Sequence, residues 1–94
     1  MFNIVTTATN ASLVDVSAAS SLYAWYSTYG TLATFINARI GQIFRVVAQQ
    51  ASFPAIIDTG AFKLAGNWIP AKQYDNITLQ WDGTAFVEVS RVAT

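Results

Sequence analysis

The segment from Asp75 to Arg91 constrains the fold most, because it has the pattern of a β-hairpin. Ile77, Leu79 and Trp81 alternate with polar residues, which is the period that places one apolar face on a core. Asp82-Gly83 follows, and it suits a tight hairpin turn, since Gly adopts positive φ freely and Asp tolerates it. The return strand alternates between two sets of side chains on opposite faces: Ala85, Val87 and Val89, and Phe86, Glu88 and Ser90. The rest of the chain must supply a surface on which this hairpin packs.

Upstream of the hairpin, short β-prone runs are separated by turn residues such as Gly30, Gly41 and Gly60. About seven short strands with turns every ~8–12 residues predict an all-β domain. We expect a small antiparallel-rich sandwich or prism-like β-module, with residues 22–94 forming the module and residues 1–21 an N-terminal arm or short strands. The run Ile43 to Val47 is expected to be buried on both faces except at Arg45.

The balance of apolar and charged residues predicts association. The 94 residues are 53% apolar and 11% charged, with no net charge, whereas a soluble domain typically carries about 25% charged residues. A single small domain of this composition would leave much apolar surface in water, and large exposed apolar patches usually mark interfaces. We therefore expect an obligate oligomer or a subunit of a larger assembly.

Several classes of function are disfavoured by residues that the chain lacks. Five scattered Lys and Arg residues balanced by five acids provide no basic stripe for nucleic acid. The absence of His and Cys leaves no catalytic triad and no thiolate or imidazole metal site. No run approaches the roughly 18 apolar residues of a membrane span, and no Gly-rich phosphate loop is present. We expect no catalytic residues, no metal, no cofactor and no membrane insertion.

The acids have structural explanations. A glycosidase needs two carboxyl groups facing each other across a cleft, and the chain offers only Asp15, Asp58, Asp75, Asp82 and Glu88. Asp75 and Asp82 are predicted to be turn residues, and Glu88 a partner of a hairpin neighbour or of Arg91. Arg39, Arg45 and Arg91 are candidates for ion pairs with acids of neighbouring chains.

The aromatic residues form the other candidate site, and two interpretations of them stay open. They could stack on the sugar rings of a polysaccharide, or they could fill a subunit interface, where Trp and Tyr are enriched. We favour the interface, because the apolar excess already requires one. Trp81 is assigned to the core instead. The candidate interface or glycan contacts are Tyr23, Trp25, Tyr26, Tyr29, Phe44, Trp68 and Tyr74.

Residues 31–91 carry a series of short motifs that end in Asp-x-Ile-Thr-Leu-x-Trp-Asp-Gly-Thr-x-Phe-x-Glu-x-Ser-Arg, matched by Asp75 to Arg91. The motifs before it are Phe35-Ile36-Asn37, Gly41-Gln42-Ile43-Phe44, Ala55-Ile56-Ile57 and Lys63-Leu64-Ala65-Gly66. This series resembles a module at or near the C-termini of tailed-bacteriophage fibre and tailspike proteins and of related virion surface proteins.

The resemblance implies a homotrimer, intertwined or packed around one axis, without catalytic residues. It implies a structural protein on the surface of a phage particle, in contact with other capsid or tail proteins. Since at most 30 residues precede the motifs, we expect a free-standing head decoration or spike subunit. The alternative is a receptor-binding tail fibre or tailspike tip that recognises host glycan.

Overall fold

Eight strands and no helix form the regular structure in residues 4–6, 13–17, 20–24, 34–50 and 55–94, which are the residues that the computed structural model describes. The prediction of an all-β domain is confirmed. The strands are β1 (Ile4–Thr6), β2 (Leu13–Asp15), β3 (Ser21–Ala24), β4 (Thr34–Ile36), β5 (Ile43–Ala48), β6 (Phe62–Lys63), β7 (Asn76–Trp81) and β8 (Phe86–Val92).

The first five strands alternate between two sheets. β1, β3 and β5 lie side by side in a six-stranded sheet of order β1-β3-β5-β7-β8-β6, while β2 and β4 pair in a second sheet. Parallel neighbours cannot be joined by a tight turn and need a long crossover. The crossovers between β1 and β3, between β3 and β5 and between β2 and β4 each pass through a strand of the other sheet. Among the described residues the ladders β1–β3, β3–β5, β2–β4 and β6–β8 are parallel, and β5–β7 and β7–β8 are antiparallel. The sheets are therefore mixed.

A cluster of phenylalanine rings joins the two sheets. Phe35 of β4 packs edge-to-face against Phe44, Phe62 and Phe86, with ring centroids 5.1, 5.7 and 5.3 Å apart. Edge-to-face pairs of this kind stabilise by about 0.5–1.5 kcal/mol beyond the area that they bury. Val14 and Val16 belong to the same core, so the segment around β2 packs on the domain.

The hairpin of β7 and β8 has the predicted buried face on β7. Ile77 and Leu79 are fully buried, and Trp81 is partly buried with its ring centroid 4.5 Å from that of Phe86. On β8 the inner face carries Phe86, because Phe86 lies opposite Trp81 in the register, and Val87 is directed outward. Alternation alone defined the two faces of β8 without indicating which of them faces the core.

The turn of the hairpin is longer than predicted. Trp81 pairs with Phe86, so four residues, Asp82 to Ala85, connect the strands. A carboxylate oxygen of Asp82 accepts hydrogen bonds from the backbone N–H groups of Thr84 and Ala85, at 2.8 and 2.7 Å. These bonds widen the connection beyond a two-residue turn. Gly83 has φ of 98°, the positive value expected of it.

The turn between β4 and β5 packs on the hairpin tip. Gly41, with φ of 89°, donates its N–H to the carbonyl of Trp81 at 2.7 Å, and Trp81 donates to the carbonyl of Gln42 at 3.0 Å. In β5 the prediction for Ile43 was wrong, because this side chain is 53% exposed. Ile43 points to the side of the sheet opposite β2 and β4, as Arg45 does. Phe44, Val46 and Val47 are buried as expected.

Candidate functional site

Two of the predicted contact residues lie inside the domain. Phe44 is 1% exposed and Trp68 is 4% exposed, and both belong to the core. Phe44 occupies an inward position of β5. Trp68 exchanges two backbone hydrogen bonds with Ile56, at 2.9 and 2.8 Å, which anchors the segment that carries its buried indole. In the single chain, neither side chain is exposed for contact with a partner or a glycan.

The remaining predicted contact residues do not form one surface in the described part of the chain. Tyr23 on β3 is half-buried, and Tyr74 is 52% exposed in the loop before β7. These two tyrosine rings do not contact each other. Trp25, Tyr26 and Tyr29 lie outside the described residues.

Exposed aliphatic side chains lie instead on the outer face, the side of the six-stranded sheet away from β2 and β4. Residues directly opposite each other on neighbouring strands share a face, and the register places Ile43, Gln80 and Val87 in one row across β5, β7 and β8. A second row holds Arg45, Thr78 and Ser90. The exposed Lys63 of β6 extends the first row beside Val87. The outer face therefore presents apolar and uncharged polar groups together with two cations, Arg45 and Lys63.

A β-bulge adds to the apolar character of β8. Leu79 pairs with Glu88 and Thr78 with Ser90, so Val89 has no partner residue on β7 and is 54% exposed. Val92, which pairs with Asn76, is exposed as well. Sequence reasoning missed this surface, although Phe86 gave a signal: its large ring competes with the smaller valines for the inner face.

A second feature is the hairpin-base cleft, an open cavity of about 270 Å³ between the segment after Trp68 and the end of β8. Its apolar walls come from Trp68, Ile69, Ala71, Val92 and Ala93, and its charged side chains are Asp75 and Arg91. The sequence offered no sign of this cleft, since its two walls are separated by some twenty residues that form the hairpin.

Asp75 is buried in this cleft and is fully used by hydrogen bonds. One carboxylate oxygen accepts the backbone N–H groups of Ala71 and Lys72, at 2.8 and 3.2 Å. The other accepts the N–H and the hydroxyl of Thr94, both at 2.8 Å. These bonds, those from Thr94 first, lower the pKa of Asp75 to about 2. Asp75 thus fastens the two ends of the hairpin, in agreement with its prediction as a turn residue.

Arg91 and Glu88 form a clamp on the loop after β6. The guanidinium contacts both carboxylate oxygens of Glu88, at 2.8 and 2.7 Å, and it donates to the carbonyl of Gly66 at 2.9 Å. Glu88 also accepts the N–H of Ala65 at 2.9 Å. The hydrogen bond from Arg91 lowers the pKa of Glu88, and the same bond raises the pKa of Arg91. The predicted pair of Glu88 with Arg91 is confirmed within one chain, and pairing of Arg91 with a neighbouring chain stays a prediction.

The other carboxylates also hold turns. Asp82 caps the hairpin turn, Asp15 accepts bonds from the N–H of Ser17 and the amide of Asn37, and Asp58 accepts the N–H of Leu64. Hydrogen bonds from the backbone, foremost those of Ala85 and Ser17, lower the pKa values of Asp82 and Asp15. A general acid working near neutral pH needs a raised pKa, and these shifts have the opposite sign.

The described residues include no group of three or more acidic side chains that could hold a metal ion. In the same part of the chain, no helix has the length and apolar content needed to cross a bilayer. Neither finding assigns a chemical activity to the cleft or to the outer face.

No family model, curated protein or solved structure matches the chain. The motifs that resemble the phage modules have structural roles here: Gly41-Gln42 binds the hairpin tip, and Glu88 with Arg91 holds the loop that contains Ala65 and Gly66. The resemblance itself stays a prediction.

Proposed function

We propose that the chain is a structural protein of a tailed-bacteriophage virion, a homotrimeric decoration or spike subunit on the surface of the head. Its work is packing and attachment to other virion proteins, without reaction chemistry. The observation that carries the proposal is the outer face, where Ile43, Val87 and Val92 are exposed on one side of the sheet, with Val89 exposed at the bulge between the two valines.

The outer face supports association through its composition. Burying an aliphatic side chain yields about 1.5–3 kcal/mol, so several such residues on one face favour a protein partner over water. The charged residues in the two rows are Arg45 and Lys63, and Lys63 lies on the edge strand β6. Charge is characteristically depleted at the centre of interfaces, and the centre of this face is uncharged apart from Arg45. A trimer contact is heterologous and joins two different patches of the subunit. The outer face supplies one of these patches.

The resemblance supports the virion setting. Its motifs coincide with the residues that fix the hairpin to the rest of the sheet: Gly41 and Gln42 at the tip, Glu88 and Arg91 along β8. Motifs that specify a fold are expected to occur in every protein that contains this fold. Their coincidence with residues that fix the hairpin is therefore expected if the chain shares a structural module with the phage proteins.

The alternative, a fibre or tailspike tip that binds host glycan, has one observation in its favour. Tyr74 is exposed and has φ of 74°, and strained backbone at a bulky residue is a feature of binding sites. The burial of Trp68 and Phe44 counts against it, because these rings offer no face for a sugar.

The test is to locate the protein on phage particles. Antibody raised against the recombinant chain should label the heads of intact, gradient-purified virions of the source phage in electron micrographs, in groups of three copies per site. Label confined to the tail tip, together with binding of the protein to host polysaccharide, would support the alternative. Absence of the chain from purified particles would contradict both.

A further inference from the structure

The hairpin-base cleft is bordered on one side by backbone groups that no described residue binds. Trp68 exchanges both of its backbone hydrogen bonds with Ile56. In an extended segment, successive residues direct their N–H and C=O groups to opposite sides, so the groups of Ile69 point away from Ile56. Ile69 lines the cleft. Its backbone N–H and C=O are bound by no described residue and lie at the border of the cleft.

The opposite border is the edge of β8. β6 covers this edge only at Phe86 and Val87. The pairing of Lys63 with Val87 still uses the N–H of Glu88. From Val89 onward, no described backbone group binds β8 on that side, and the side chain of Arg91 bridges the gap to the carbonyls of Gly66 and Asn67. An exposed strand edge is a template for pairing with another extended segment. The cleft thus lies between two partly open edges.

The side chains around the cleft determine what can enter it. Asp75 already accepts four hydrogen bonds, and Arg91 uses four of the five N–H groups of its guanidinium. Sugars need free polar side chains for orientation, and these two have little capacity left. The charges of Lys72, Asp75, Glu88 and Arg91 sum to zero, so the site does not favour a charged ligand.

We propose that the hairpin-base cleft accepts an extended, uncharged polypeptide segment by strand addition. The main chain of the segment pairs with Ile69 and with the edge of β8, and one aliphatic side chain enters the cleft. Main-chain bonds give affinity and pockets for alternate side chains give specificity in this mode of recognition. A cavity of about 150 Å³ already holds benzene, so 270 Å³ provides room for a branched aliphatic group. This partner site adjoins the outer face at Val92 but includes none of the residues in the two rows across β5, β7 and β8.

The test uses capped hexapeptides that alternate threonine with one aliphatic residue, Ala, Val or Ile, at about 1 mM, the range of weak peptide binding. Titration into ¹⁵N-labelled protein should shift the amide signals of Ile69, Val92 and Ala93. Affinity should rise from the alanine peptide to the isoleucine peptide. An isoleucine peptide N-methylated at its centre should bind about tenfold more weakly, because it lacks a main-chain donor.

Two variants with the same chemical change separate the cleft from the general surface. Ala93→Phe fills the cleft and should abolish the shifts, whereas Ala61→Phe, at an exposed loop position outside it, should leave them unchanged. The ¹⁵N spectra of both variants report whether the fold is retained.

Three outcomes would overturn the proposal: no shifts at these amides, equal binding of the N-methylated peptide, or undiminished binding by Ala93→Phe. A fourth, displacement of the peptides by excess unlabelled protein, would assign the cleft to a second copy of the chain and overturn it as well. None of these results depends on the location of the protein in a virion.

Discussion

At the scale of single residues, the carboxylates stabilise turns by accepting hydrogen bonds from backbone N–H groups. Asp75 shows this most clearly, since one buried side chain binds backbone groups from the loop before β7 and from the residue after β8. A carboxylate that accepts several N–H bonds is stabilised in its charged form. The free energy of unfolding of the domain therefore depends on pH, because it includes the stabilisation of this charged form.

Asp75→Asn should reduce this pH dependence. The folded-state pKa of Asp75, about 2, lies below its ordinary value of 3.8, so its contribution is fully present above pH 3.8 and is lost as pH falls toward 2. The wild-type melting temperature should therefore fall in this window. The Asn variant should melt lower at pH 7 and show a shallower acid decline, measured by circular dichroism from pH 7 to 2.

Asp58→Asn, which leaves the bonds of Asp75 intact, is the matched control. It should retain the steep acid decline of the wild type. An Asp75→Asn variant with an unchanged profile would show that other carboxylates determine the acid response.

Gly83 provides a second test at a single position. Its φ of 98° is unfavourable for residues with a side chain, and a Cβ here would lie 3.3 Å from the side chain of Ile40. Gly83→Val should cost about 1–3 kcal/mol. Gly83→Asn should cost less, because Asn tolerates positive φ better than a β-branched residue does. Equal costs in urea titrations would indicate that crowding against Ile40, and not the backbone angle, sets the penalty.

At the scale of strands and turns, the sequence predicted what depends on local chemistry. The alternation of Ile77 and Leu79 predicted which face of β7 is buried. The requirement for a positive φ predicted the position of Gly83 in the turn. Alternation alone did not predict the inner face of β8, because that face depends on which residue lies opposite Trp81. The exposure of Ile43 has the same origin, since an apolar side chain does not reveal whether its side of the sheet is covered.

The parallel ladders and the cleft depend on contacts that are distant in sequence. The residues of β3 do not indicate that β1 and β5 are its neighbours in the sheet. They also do not indicate that β2 and β4 pair in a separate sheet. The cleft arises only when the loop before β7 meets the end of β8. The burial of Trp68 likewise follows from its bridge to Ile56, which no local pattern encodes.

The clamp on β8 can be tested with a substitution that retains charge. Arg91→Lys keeps a cation but loses the two-point contact with Glu88 and the bonds to the carbonyls of Gly66 and Asn67. Lys cannot reproduce this planar geometry, so we expect a loss of about 1–2 kcal/mol, allowing for the partial exposure of the pair. Arg45→Lys, on the outer face, should change stability by less than about 0.5 kcal/mol. Equal effects in chemical denaturation would mean that the clamp contributes nothing specific.

At the scale of the whole molecule, the two faces of the large sheet have different roles. The inner face packs on β2 and β4 through the ring of Phe35 and is complete within the chain. The outer face carries exposed valines on β8, and no described residue covers them. A chain with zero net charge lacks the electrostatic repulsion that would oppose contact between copies.

The oligomeric state should therefore respond to a charge placed on the outer face. Val89→Lys introduces an ammonium group at the bulge of β8, where the side chain is exposed and has no partner residue on β7. Because the site is solvated in a single chain, the fold should be retained. Burial of an unpaired charge in an interface is costly, so the proposed trimer should dissociate to monomers at micromolar concentration in sedimentation equilibrium. Ile40→Lys is the matched control: Ile40 is 80% exposed beside Gly83 at the hairpin tip and belongs to neither row of the outer face, so this variant should stay trimeric. A wild-type chain that sediments as a folded monomer would contradict the proposed trimer. A Val89→Lys variant that remains trimeric would show that the interface lies on another surface.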